Sequence, residues 1–397
     1  MPAEQPLAGR RLWLVGIGGA GMSAYALVAR AFGAEVGGWD RNETPYLEPL
    51  RAAGIEVGVS PAPEVPRDRE VFVSSAYPAV EGRPRADLLA ELVSLRPSIV
   101  VAGAHGKTTT AAMLAYALRE TGNDPAWIIG GEVPQLGANA GGGTGWLVAE
   151  GDESDRSLEA LRPRIAVVLN VDLDHHATFA SRAEVDGLFE RWLAEAPTAI
   201  RGWELEPVDF QLSVPGEHNR RNAAAALAAL ELAGVPRAEA ERALGAFRGA
   251  GRRFELVGEG GGVVVVDDYA HNPAKIEAVL LAARERTSGR VVALFQPHLP
   301  SRTRYLSSEL GAALTRADLA CVTEIYAARE QMRAGLSGRV VAEAAADARP
   351  GMTVGWAPEL EDAARIVAAW ARPGDLVLTI GAGDVDRAAP LVLEALR

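Results

Sequence analysis

The residues Gly103, His105, Gly106, Lys107, Thr108 and Thr109 lie in one run, GAHGKTTT (103–110), whose types suit the binding of a nucleotide phosphate. Glycines let backbone N–H groups approach phosphate oxygens, and a following helix N-terminus adds partial positive charge. Lys107 supplies a full charge, and the Thr108 hydroxyl is the kind of oxygen that ligates Mg²⁺ beside a phosphate. The full phosphate-loop spacing would place a further glycine at position 101, where the chain has Val101. Against that departure stands composition: of 40 basic residues only Lys107 and Lys275 are lysines. Whatever favours arginine in this chain has not replaced Lys107, which reads as a ligand of nucleotide phosphate.

Carboxylates and imidazoles recur downstream. Glu150 ends an apolar run, with Asp152, Glu153 and Asp155 just beyond; Asp172, Asp174, His175 and His176 follow a second such run. Beside a phosphate loop, Glu150 and His175 are natural ligands for the Mg²⁺ that accompanies ATP, whereas Glu159 and Asp155 read as solvated loop acids. His218, Asn219 and Asn222 form another polar group; the two asparagines are i, i+3 neighbours and share a helix face. Capping of a helix would also account for Asn219, but not for Asn222 or His218.

These residues need strands to deliver them and helices to follow. The apolar run 99–101 predicts a buried strand leading into the loop, and 111–118 predicts the helix after it. Upstream, a strand over 11–15, the turn GIGGAGMS (16–23) and a helix over 24–32 place Gly16, Gly18 and Gly21 in the G-x-G-x-x-G pattern in its strand-to-helix context. Asp40 ends the next strand, 34–39, where a dinucleotide fold holds a ribose. The pattern alone does not distinguish a dinucleotide from another diphosphate ligand, and no hydride-site residue accompanies it. Further strands are predicted over 71–75, 146–149, 165–170, 262–266, 291–295 and 376–380, with a helix over 85–95. The fold class is therefore α/β, in three successive units: 1–97, 98–250 and 251–397, the third read as another parallel layer. The pair Arg252–Arg253, flanked by glycines, suits a hinge at the last boundary.

Composition narrows the partners. A net charge of −12, with no basic run, argues against nucleic acid. The single cysteine, Cys321, leaves no internal disulfide and no thiolate metal cluster. With no signal-like N-terminus and no 18-residue apolar span, the expectation is a cytoplasmic protein with no membrane partner; oligomeric state is not legible.

Taken together the motifs resemble the Mur ligases, ATP-dependent amide-forming enzymes of peptidoglycan precursor synthesis. The matching stretches are GIGGAGMS (16–23), SSA (74–76), GAHGKTTT (103–110), AEGDESD (149–155), NVDLDHH (170–176), GEHNRRNAAAA (216–226), GRRFE (251–255), DDYAHNP (267–273), FQPH (295–298), EIYAARE (324–330) and GAGD (381–384), in the family's order. Within the family the match is to the branch that joins L-alanine to UDP-N-acetylmuramate. The resemblance implies a Rossmann-like N-terminal domain for the UDP-sugar, a central P-loop ATPase domain and a Rossmann-like C-terminal domain that closes with the amino acid. It implies small-molecule substrates, ATP and Mg²⁺, and chemistry in which the muramate carboxylate takes the γ-phosphoryl group of ATP before the amine of L-alanine attacks.

Carried over by motif, Thr108, Glu150 and His175 look like metal ligands, and Arg253 like a clamp on the γ-phosphate. His218, Asn219, Asn222, Asp268 and His271 look like nucleotide-site residues; His298 and Arg302 look like the amino-acid side. Gly18, Gly19, Ala20 and Ser23 look like diphosphate contacts. Sibling ligases bridge their metals with a carbamoylated lysine, and no lysine occurs between Lys107 and Lys275, which favours the alanine-adding branch. The chain departs from the family in a short stretch after His176, in Leu299 where arginine is usual, in Asn272 where a second histidine is usual, and in lacking a histidine near Gly58. Two other readings stand beside the first: a ligase joining a peptide to UDP-muramate, and a weakly active nucleotide-binding homologue with a scaffold role.

Overall fold

The computed structural model describes residues 5–172, 178–328 and 330–397. Three sheets carry the chain. The first comprises β1 (Arg11–Val15), β2 (Glu35–Asp40), β3 (Glu56–Val59), β4 (Glu70–Val73) and β5 (Arg83–Pro84), in the order β3-β2-β1-β4-β5 with every pairing parallel. Alternate residues of β1 serve opposite faces, as a pleated strand requires. Leu12 and Leu14 enter one apolar cluster, while Trp13 and Val15 enter another with Trp39 and Val73. The order reverses direction at β1, so the turn after β1 opens at a topological switch point.

The second sheet comprises β6 (Ser98–Ala102), β7 (Ala126–Ile128), β8 (Ala140–Gly141), β9 (Leu147–Glu150), β10 (Ile165–Val168) and β11 (Thr198–Arg201), ordered β11-β10-β6-β9-β7-β8. Every residue of β6 is buried between β10 and β9, which explains its unbroken apolar run. The helix after it spans Lys107–Glu120, four residues earlier than the sequence pattern predicts. Its residues from Thr109 to Leu118 are all buried, so it is apolar on every side because it is an internal helix.

The third sheet comprises β12 (Glu255–Gly260), β13 (Val263–Asp268), β14 (Val291–Phe295), β15 (Leu319–Val322), β16 (Thr353–Trp356) and β17 (Leu376–Ile380), ordered β12-β13-β17-β14-β15-β16. It is not wholly parallel as expected, since β12 pairs antiparallel with β13. Gly261 and Gly262 lie between them at φ +59° and +73°, the left-handed pair that a two-residue hairpin turn demands.

The chain divides into two compact units, one of Met1–Ser213 with Arg220–Ala250, the other of Val214–Asn219 with Gly251–Arg397. The first unit holds two sheets over one shared core, in which Phe32 and Leu92 belong to the same cluster as Val100, Leu147 and Phe189. A division near Pro97 thus separates two sheets but not two cores. Among the described residues, no helix is long and apolar enough to cross a membrane.

Candidate functional site

In the first unit the GAHGKTTT turn is shaped from three sides. Gly103 has φ +125°, and a Cβ there would stand 2.9 Å from the Asn170 carbonyl oxygen. Gly106 caps the helix at φ +84°, and a Cβ there would collide with the Asn222 amide oxygen. Only glycine meets both demands. Asn170, just past β10, accepts from the His105 N–H at 2.9 Å and donates to the His105 carbonyl at 3.0 Å. The His105 imidazole Nε2 lies 3.5 Å from Asp172.

Lys107 and Thr108 open the helix, so both project from its positive end. The Lys107 ammonium donates to the Gly103 carbonyl at 2.7 Å and meets the buried Glu153 carboxylate at 2.9 and 3.2 Å. Burial acts to lower its pKa, but Glu153, Asp152 and Glu150 outweigh that and hold it above the usual lysine value. Thr108 Oγ1 donates to Glu150 Oε2 at 3.1 Å, and Glu150 Oε1 accepts from the Gly130 N–H at 2.5 Å. Lys107, Thr108 and Glu150 are therefore brought together, and Thr109 is buried behind them. His175, with Asp174 and His176, lies outside the described residues.

The hydroxyl and carboxylate oxygens of Thr108 and Glu150 are hard donors on one spot, a set that fits Mg²⁺ completed by phosphate oxygens and water. Among the described residues, which do not include His175, no group of three or more histidine, cysteine or acidic side chains is placed to hold a metal ion.

The first sheet presents the second glycine turn. Asp40 accepts from the Gly18 N–H at 2.8 Å, from the Arg41 N–H at 2.7 Å and from the Tyr77 hydroxyl at 3.0 Å. Its buried carboxylate thus braces the turn itself. Thr44 donates to the Gly18 carbonyl at 2.8 Å, and Ser23 donates back to Ala20 at 3.0 Å. Gly19 caps the helix Ala20–Ala31, and Asn139, just before β8, reaches the Ala20 carbonyl at 3.2 Å. Sequence reasoning missed Arg85, whose guanidinium bonds Asp155 at 2.9 Å and would lie 3.4 Å from a Cβ on Gly21. Asp155, read as solvated, is instead half of that pair, and its pKa falls below the ordinary value: burial opposes this, while Ser157 and Arg85 prevail.

The second unit gathers its own cluster. His298 stacks on Tyr326 at 5.9 Å between centroids, His271 lies 6.1 Å from His298, and Arg302 reaches His298 Nδ1 at 3.3 Å. Arg252 and Arg253 both approach the Tyr269 ring, at 5.2 and 5.1 Å. Their roles differ. Arg252 bonds Asp267 at 2.9 Å and the carbonyls of Gly381 and Gly383 at 2.9 and 3.0 Å, tying three segments together. Asp268 accepts from the Phe254 and Ala270 N–H groups at 2.8 and 2.7 Å, and burial pushes its carboxyl up to about 6. Asn219 donates to the Pro215 carbonyl at 2.6 Å, holding the turn before its helix, and the His218 ring folds back against Gly216. His218 and Asn219 belong to this second unit, and Asn222 to the first.

Comparison with known proteins places these features in a family. Residues 12–96 match the model of the Mur ligase family catalytic domain, and residues 252–383 match that of the Mur ligase glutamate ligase domain. The chain is 37% identical to the UDP-N-acetylmuramate–L-alanine ligase of Rubrobacter xylanophilus over an alignment of 446 residues, covering 97% of this chain and all of that protein. It is 41% identical to the enzyme of the same name from Kineococcus radiotolerans, covering 97% and 96%. Among solved structures, the UDP-N-acetylmuramate–alanine ligase of Thermotoga maritima superposes with a TM-score of 0.81 at 25% identity, covering 97% of this chain and 98% of that one.

Proposed function

Since the chain belongs to the Mur ligase family, we infer that it is an ATP-dependent amide-forming ligase that joins L-alanine to UDP-N-acetylmuramate in peptidoglycan precursor synthesis. The observation that carries this reading is full-length similarity to alanine-adding ligases in a chain whose Lys107, Thr108 and Glu150 converge at one helix N-terminus.

A carboxylate is a poor electrophile, so the reaction must first give it a leaving group. Its oxygen attacks the γ-phosphorus of ATP and ADP departs; the neutral amine of L-alanine then attacks the acyl carbon, a proton is lost, and phosphate leaves. Lys107 is assigned to the phosphoryl oxygens, where a preorganised cation stabilises the charge of transfer. Thr108 and Glu150 are assigned to hold Mg²⁺, with His175 proposed as a further ligand. When bound, the metal would neutralise charge on the phosphate oxygens.

Gly103, His105, Gly106 and Thr109 are assigned to the nucleotide phosphates, the His105 N–H itself being held by Asn170, with Asn222 supporting the turn. We assign His218, Asn219, Asp268 and His271 to the nucleotide as well, and Arg253 to its γ-phosphate. Gly18, Gly19, Ala20 and Ser23 are assigned to the UDP diphosphate, with Asp40 holding their turn in shape, and His298 and Arg302 to the amino acid. In this reading 1–97 serves the UDP-sugar, 98–250 the ATP and 251–397 the amino acid. Consumption of ATP and a UDP-linked sugar fits a cytoplasmic location.

The test is phosphate release. Purified protein given UDP-N-acetylmuramate, ATP and Mg²⁺ is expected to release phosphate only once L-alanine is added, and Lys107→Ala is expected to abolish it. Release that answers to a tripeptide and not to alanine would favour a peptide-adding ligase. Silence with both would leave a nucleotide-binding homologue.

A further inference from the structure

We propose that Glu153 is a positioning residue for Lys107, holding its ammonium through a contact that a bound nucleotide's β-phosphate takes over. The inference rests on the nucleotide reading of the 103–110 turn. An ammonium has three N–H donors. One goes to the Gly103 carbonyl at 2.7 Å, and both oxygens of Glu153 lie within reach of the others, at 2.9 and 3.2 Å. A phosphate oxygen approaching the turn must therefore share or displace a donor that Glu153 holds.

Glu153 is not a mobile surface acid. Its side chain is 3% exposed, against 19% for Lys107. Its backbone is fixed as well: the Ser154 N–H donates to Asp152 Oδ1 at 2.9 Å, and the Arg156 N–H donates to the Glu153 carbonyl at 3.0 Å. Arg156 sits at φ +61° to complete that turn. The carboxylate is thus set beside the ammonium by the chain that follows β9, while the ammonium is set by the helix that follows β6. Two anions compete for one buried cation, because a carboxylate and a phosphate held against the same ammonium repel each other.

Removing the charge of Glu153 while keeping its shape therefore strengthens phosphate binding, and the gain requires Lys107. Binding of ADP, AMP and adenosine to the full chain is measured by calorimetry for wild type, Glu153→Gln, Lys107→Ala and the double variant. Glu153→Gln is expected to tighten ADP by about tenfold, leave adenosine and AMP where they were, and lose its effect in the Lys107→Ala background. In turnover, KM for ATP falls by a similar factor. Glu153→Asp, which keeps the charge but draws it back, gives an intermediate gain and carries the same test should the glutamine variant not fold.

Equal changes for AMP and ADP, no tightening of ADP, or a gain that persists without Lys107 would each overturn the proposal. Wild-type protein that binds ADP no better than adenosine would instead sink the nucleotide reading itself, and this inference with it.

Discussion

Asn170 grips both backbone polar groups of His105, accepting from its N–H at 2.9 Å and donating to its carbonyl at 3.0 Å. The pairing joins the end of one strand to the phosphate turn of its neighbour, and it follows from register. Val168 of β10 lies opposite Ala102 of β6, so the residues two and three positions beyond face each other.

Asn170→Ala removes both bonds and leaves the turn to find its shape on nucleotide binding. The expected cost in stability is roughly 1–2 kcal/mol. KM for ATP is expected to rise more than kcat falls, since the loss is chiefly one of preorganisation. Initial rates against ATP concentration, with a urea melt alongside, check both. An unchanged KM would show that His105 is held by other means.

Glu150 lies at the end of β9, where it accepts from Thr108 and from the Gly130 N–H. If it ligates the metal, Glu150→Gln raises the Mg²⁺ concentration needed for half-maximal phosphate release. The rise should be at least the roughly tenfold to hundredfold that loss of a supporting partner alone costs a metal site. A magnesium titration at saturating ATP gives the answer. A fall in rate with no change in magnesium requirement would remove Glu150 from the metal and leave it as a brace for Thr108.

Much of this site was legible because chemistry at the ends of parallel strands is carried by residue type and position. Lys107, Thr108 and Glu150 needed nothing more. The helix start at Lys107 was not legible, because Gly106 caps it at φ +84° under contact with Asn222, more than a hundred residues downstream. Asn170 and Glu153 were hidden for the same reason, since their partners are set by strand order and not by neighbours in sequence. Asp40 was placed correctly at a strand end, but whether it faces a ligand or its own turn depends on Tyr77 and Gly18 folding over it. The antiparallel β12 was signalled by three consecutive glycines, 260–262, yet its own sequence, ELVGEG, alternates weakly and is largely exposed.

Arg252 bonds the buried Asp267 and two carbonyls of the 381–384 turn. Arg252→Ala takes the cation from that buried carboxylate and leaves it the Thr379 hydroxyl, at a cost of roughly 3 kcal/mol. Arg252→Lys restores charge without the planar fork that reaches three acceptors at once, so it recovers only part of the loss. Urea unfolding of the three proteins checks the order. Equal stability of all three would reduce Arg252 to a surface contact.

Asp268 gives the second unit a pH dependence whose sign is set by burial. Its folded pKa is raised to about 6 from an ordinary value of 3.8, so across that window the folded state binds the proton more strongly than the unfolded chain. The contribution of Asp268 to stability is therefore greatest below the ordinary value and falls as pH rises toward 6. At 1.36 kcal/mol per unit the fall is up to about 3 kcal/mol. Asp267 beside it is also shifted upward by burial, so Asp268→Asn is expected to flatten the slope between pH 4 and about 6 without abolishing it. Unfolding free energies of both proteins across that range, from urea melts at each pH, decide the matter: parallel curves would mean that the carboxylate is ionised throughout and that its two backbone donors, Phe254 and Ala270, outweigh its burial.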